Sequence, residues 1–106
     1  MELKELKKII KSEKETLINR SRVEETEKEK ILLRAVKLNE EVGELCEEIL
    51  NKFENQRKEK IFNEKNLRGE LADVIITTML LADKLNIDVE IALDEKVNEI
   101  ISNRKK

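Results

Sequence analysis

A chain of 106 residues with no proline and only two glycines has few places at which it can turn sharply. Strand hairpins draw on Gly, Asn-Gly and Pro to set the φ angles of each turn, and a multi-stranded fold needs several such points. The sequence therefore predicts an all-α fold and argues against an all-β or α/β one. The length suits a single domain over residues 1–106. Leu, Ile, Val and Phe together supply 34 residues, too many for a disordered chain even though 43% of positions are charged. An aliphatic core beneath a densely charged surface is the expectation.

Other absences narrow the chemistry. There is no His, which removes imidazole as metal ligand, general base and triad member. The single cysteine, Cys46, can neither close a disulfide within the chain nor form a zinc site, and no signal-peptide pattern opens the sequence, so a reducing cytoplasm is the expected compartment. A net charge of −2 without a long basic block argues against a nucleic-acid polymer as partner. Carboxylates working with a metal ion are the main catalytic tools left.

Hydrophobic spacing divides the chain into four helices. Apolar residues at Leu3, Leu6, Ile10 and Leu17 predict a first amphipathic helix over Leu3–Ile18. Two Ser/Thr-x-x-Glu capping boxes, Ser21 with Glu24 and Thr26 with Glu29, could open the second. Its apolar stripe of Ile31, Ala35, Leu38, Val42, Leu45 and Ile49 ends near Phe53. Residues Glu54–Asn66 lose the pattern and read as a loop pinned by Ile61 and Phe62. A third helix, Leu67–Leu85, contains the run LADVIITTMLLA, apolar on nearly every face with Asp73 its only charge. Twelve residues cannot cross a bilayer, which needs roughly 20, so the run reads as a core helix enclosed by others. Four short helices of one chain hardly enclose it, which predicts self-association. Asn86-Ile87-Asp88 then offers caps before a fourth amphipathic helix bearing Val89, Leu93, Val97, Ile100 and Ile101.

Most acids belong on solvated helix faces; Glu47, Glu48, Glu54, Glu95 and Glu99 are read that way. Counting about 100° per residue from Leu38 puts Glu41 near 300°, Glu44 near 240° and Glu40 near 200°, so that Glu41 borders the apolar stripe with Glu44 beside it. On the third helix Glu70 and Asp73 are three apart and share a face. An Asp inside an apolar run needs a cation, a basic partner or strong hydrogen-bond donors. If the two helices pack side by side, four carboxylates converge, and oxygen donors without His or Cys select Mg²⁺ or Mn²⁺ over zinc. The alternative is surface acids paired with Lys and Arg. Gly43 and Gly69 both lie within two residues of these acids, where close backbone approach between the helices would explain them.

The strings KLNEEVGEL (Lys37–Leu45) and GELADVIIT (Gly69–Thr77) resemble the two halves of the E-E-x-x-E … E-x-x-D motif of MazG-type nucleotide pyrophosphohydrolases. With the tail NIDVEIALDEKVNEIISNR the similarity covers about seventy per cent of the chain, from Ile31 to Arg104. The resemblance implies a four-helix antiparallel bundle completed by oligomerisation, as a homodimer or homotetramer. It also implies Mg²⁺-dependent cleavage of a nucleoside triphosphate between its α and β phosphates, with Mn²⁺ able to substitute. Carried over by position, Glu41, Glu44, Glu70 and Asp73 match the metal ligands, and Glu40 the leading glutamate that holds a further ion or orients water, making Glu40 and Glu41 the catalytic pair. Lys37 and Lys96 match basic positions that would meet the triphosphate; as a surface lysine, Lys37 would instead pair with a neighbouring glutamate. Ile100 stands where many relatives place Asn. Phe53 and Phe62, the only aromatic residues, read as core or loop anchors rather than base platforms. Two rivals stay open: a phosphoribosyl-ATP pyrophosphohydrolase of histidine synthesis, and a non-enzymatic helical interaction protein.

Overall fold

The computed structural model describes residues 1–17, 26–54 and 61–104. Among these the chain forms four helices and no strand: α1 (Leu3–Leu17), α2 (Glu27–Glu54), α3 (Glu64–Lys84) and α4 (Val89–Arg104). The all-α class expected from the missing turn residues is the one adopted.

Side chains set the helix ends. Thr26 and Glu29 form a reciprocal box at the start of α2: the Thr26 N–H donates to Glu29 Oε1 at 3.2 Å and the Glu29 N–H to Thr26 Oγ1 at 3.1 Å. The rival box at Ser21 lies outside the described residues. α3 starts at Glu64 rather than Leu67, because the Asn63 side chain accepts the Lys65 N–H at 2.8 Å and caps it. The expected loop is therefore helical from Glu64 to Asn66, while residues 55–60 lie outside the described ones. Ile61 does not pin it, being 89% exposed; Phe62 is half-buried and Phe53 largely exposed. At the other end of α3, Asn86 adopts a left-handed φ of 58°. Its N–H reaches Asp83 O at 3.2 Å and the next N–H, of Ile87, reaches Ala82 O at 2.9 Å, which closes the helix in a Schellman turn. Asp88 then caps α4, its Oδ1 accepting the N–H groups of Glu90 and Ile91 at 2.9 and 3.2 Å.

α2 and α3 run antiparallel, with Lys52 Nζ 3.5 Å from Glu64 at one end and Lys84 beside Glu27 at the other. α1 lies on the C-terminal half of α3, where Ile10, Met79 and Leu80 form the buried core. Lys7 clamps it to Asp88 and Glu90 at 3.0 and 3.4 Å, and Lys14 to Asp83 at 3.6 Å. α4 buries none of its residues within the chain.

Two expectations about packing need correction. The apolar run of α3 is enclosed only toward its end: Thr77, Met79, Leu80 and Ala82 are buried, whereas Leu71 and Ile75 stay about half exposed. On α2 the buried residues are polar, namely Glu41, Glu48 and Asn51, and Leu32, Val36, Val42, Ile49 and Leu50 are exposed. The chain consequently exposes 8,596 Å², where a compact monomer of 12.5 kDa exposes about 6,200 Å².

Nor do the glycines mark close helix contact among the described residues, where a Cβ added at Gly43 or Gly69 meets no atom within 4 Å. Gly69 lies inside α3 without positive φ, so Gly69→Ala should stabilise the protein by about 0.5–1 kcal/mol through helix propensity. Denaturant unfolding checks this; a loss of stability would show that something unseen within the chain approaches this backbone. Among the described residues no helix is long and apolar enough to cross a membrane.

Candidate metal centre

The polar inner face of α2 is where the acids meet. Glu41 and Glu44, one turn apart, project toward Glu70 in the first half of α3, and one carboxylate oxygen from each lies within 4.8 Å of the other two. Glu41 is 7% exposed, Glu70 half-buried and Glu44 exposed, so the cluster grades from interior to solvent. Glu41 Oε2 and Glu70 Oε2 are both buried without a hydrogen-bond partner. A buried carboxylate oxygen left unpaired is costly.

The electrostatics record that cost. The Glu70 carboxyl is pushed above its ordinary value of 4.5, first by burial, then by the charge of Glu44 and that of Asp73. Asp73 is likewise raised above 3.8, by burial and then by Glu41, with Lys37 opposing. Asp73 is thus coupled to the cluster, yet it stands outside the 4.8 Å set and is exposed rather than enclosed in an apolar run.

Lys37 is the basic group at hand. Its Nζ lies 3.4 Å from Glu40 and 3.3 Å from Glu41, and these contacts, that to Glu41 foremost, raise its pKa. Both of these partners are acids one turn along the same helix. Glu40 is exposed, next to the cluster and paired to that lysine. Lys96 pairs with Glu99 at 3.3 Å on α4, and no ion pair joins it to the carboxylate cluster among the described residues.

Two residues on this face escaped the sequence reading. Glu48, placed there on a solvated face, is buried, and so is Asn51, whose amide nitrogen and oxygen both lack partners. Each follows a clustered acid by seven residues, Glu41 to Glu48 and Glu44 to Asn51, which on a helix returns to nearly the same direction. That repeat was the available signal.

Three carboxylates against one lysine, with two buried oxygens unpaired, fit a hard divalent cation such as Mg²⁺ or Mn²⁺, for which carboxylate oxygen is the preferred donor. Glu41, Glu44 and Glu70 would hold it, with Asp73 close by.

The model of the MazG-like family matches residues 36–105, which include every one of these acids and Lys37. The chain belongs to the MazG-like family. That places it in a fold of the nucleotide pyrophosphohydrolase type. Among curated proteins it is similar to YpjD of Bacillus subtilis (strain 168), described as uncharacterized, at 29% identity over 69 residues. This alignment covers 65% of the present chain and 62% of that protein. No solved structure matches. α1 lies before the residues the MazG-like model matches.

Proposed function

We propose that this MazG-like chain is a divalent-cation-dependent nucleoside triphosphate pyrophosphohydrolase that adds water across the α–β phosphate bridge, giving a monophosphate and pyrophosphate. The observation that carries the reading is the trio Glu41, Glu44 and Glu70, within 4.8 Å of one another and holding two buried, unpaired oxygens. A cation bound there supplies charge neutralisation for the phosphate oxygens and polarises water, without any histidine.

The chain's own residues divide the remaining work. Glu41, Glu44 and Glu70 carry the negative charge that retains the cation, and Asp73 extends the field toward the substrate. Lys37 exchanges Glu40 for a phosphate oxygen, turning an N–H donor onto the triphosphate while another stays on Glu41. Released from the lysine, Glu40 orients the attacking water and takes its proton as the bond to the pyrophosphate oxygen breaks. Lys96 is assigned a phosphate contact delivered in the assembled homo-oligomer, since within one chain it pairs with Glu99 on α4.

The test is a pyrophosphate-release screen over ribo- and deoxyribonucleoside triphosphates, with phosphoribosyl-ATP included, in Mg²⁺, in Mn²⁺ and in chelator. Equimolar monophosphate and pyrophosphate that vanish in chelator are expected for at least one triphosphate. Turnover of phosphoribosyl-ATP alone would move the chain to the histidine-synthesis reading. No release across the panel, or release of orthophosphate, would overturn the proposal.

A further inference from the structure

α1 is an addition to the family core, since the MazG-like match begins at residue 36 and α1 ends at Leu17. Where it crosses the end of α3 it leaves a cavity of about 270 Å³ against the turn that joins α3 to α4. Ile10 and Met79, both almost completely buried, and the half-buried Val89 give this cavity an apolar floor. Three lysines, Lys7, Lys11 and Lys14, follow one another on the face of α1 that meets the turn, at steps of four and three. Lys7 is held by Asp88 at 3.0 Å and Lys14 by Asp83 at 3.6 Å. Lys11, between them, lines the cavity and has no carboxylate partner among the described residues. Asn86 lines it too, its side-chain amide without a hydrogen-bond partner among the described residues.

We propose that this cavity is a second ligand site, one that takes a small organic acid. Its carboxylate sits between Lys11 and the Asn86 amide and completes the row of ion pairs, while a compact apolar body rests on Ile10, Met79 and Val89. An unpaired surface lysine alone signifies nothing; this one stands in a row whose other two members each face a carboxylate, beside an apolar hollow. Volume limits the ligand, because pockets for drug-sized molecules begin at about 300 Å³. The triphosphate is not that ligand: Asp83 follows Glu70 by thirteen residues, about 20 Å along α3, so the cavity is separate from the carboxylate trio. A bound acid ties α1 to the start of α4 and stabilises its docking by mass action.

This inference does not rest on the proposed activity, and binding alone reads it out. Isocaproate titrated into the isotope-labelled, metal-free chain should shift the backbone amide signals of Lys11, Asn86 and Val89 and the Met79 methyl signal, saturating with a single millimolar dissociation constant. The uncharged isocaproamide should bind at least tenfold more weakly, and so should inorganic phosphate, which lacks the apolar body. Lys11→Glu should weaken isocaproate binding at least tenfold. Lys11→Gln, which adds no repulsion and leaves the Lys7 and Lys14 pairs in place, should weaken it several-fold and decides the matter if the Glu variant loses the docking of α1. No saturating shift at these residues, shifts centred on Glu41, Glu44 and Glu70 instead, phosphate or isocaproamide binding as tightly as isocaproate, or an affinity unchanged in Lys11→Gln would each overturn the proposal.

Discussion

Replacing Glu41, Glu44, Glu70 or Asp73 by its amide is expected to lower Mg²⁺-dependent pyrophosphate release by ~10²-fold or more while helix content by circular dichroism stays at the wild-type level. The amide keeps the volume of the carboxylate and removes the anionic donor, so lost turnover reports on charge rather than packing. The structure ranks the four. Glu41→Gln should be the most severe, because Glu41 is buried, belongs to the trio and also anchors Lys37 at 3.3 Å. Asp73→Asn should be the mildest, since Asp73 is exposed and outside the 4.8 Å set. Lys37→Ala separates two roles for the lysine: a phosphate contact predicts a raised KM, whereas a purely structural partner of Glu41 predicts lost stability with KM unchanged. Wild-type turnover in all four amide variants would show that the reacting groups lie elsewhere. A non-enzymatic interaction protein would show no turnover in the wild type to begin with.

The sequence made the helices and their punctuation legible because those are local. The Thr26–Glu29 box, the Asn86 turn and the Asp88 cap each depend on a few neighbouring residues, and spacing alone exposes them. What spacing could not supply was the direction of each face. The helical wheel of α2 was oriented by its apolar stripe, on the ordinary assumption that apolar side chains point inward. In this chain the covered face of α2 runs along Ile31, Leu38, Glu41, Leu45, Glu48 and Asn51, so only part of the expected stripe is covered, two unexpected polar residues are buried with it, and Val42 and Ile49 face outward. Gly43 lies off that covered face, and among the described residues nothing comes within 4 Å of a Cβ placed there. Glu41, Glu44 and Glu70 were legible because their order along the chain resembles a family motif, whereas the burial that sets them apart from other acids is visible only in three dimensions. Asn63 was missed because a cap in a charged segment leaves no periodic trace.

Without divalent ions, Glu70→Gln and Asp73→Asn should each raise the melting temperature, although both remove wild-type charge. In the folded chain these two carboxyls hold their protons more tightly than the ordinary values of 4.5 and 3.8 that apply when it is unfolded. The native state then binds more protons than the unfolded state between each pair of values, and stability falls as pH rises through that window. The penalty is complete above the folded-state values, shrinks on acidification, and is gone only below the unfolded-state values of 4.5 for Glu70 and 3.8 for Asp73. Below that point the opposite group takes over: Asp88, held down by Lys7 and by the α4 N–H groups, contributes stability that acid removes. Metal-free protein should accordingly be most stable in mildly acidic solution, and Glu70→Gln should flatten the fall toward neutrality. Adding Mg²⁺ at neutral pH reverses the ranking. At a concentration 100 times its dissociation constant a site-bound ion adds about 2.7 kcal/mol to the wild type, of the order of 10 °C for a domain of this size. Glu70→Gln and Asp73→Asn should gain far less. Melting curves from pH 4.5 to 8, with Mg²⁺ and with chelator, make the comparison. A metal-free wild type that becomes more stable as pH rises through this range, or a Glu70→Gln protein that gains as much from Mg²⁺ as the wild type, would remove the carboxylate cluster as the seat of the cation.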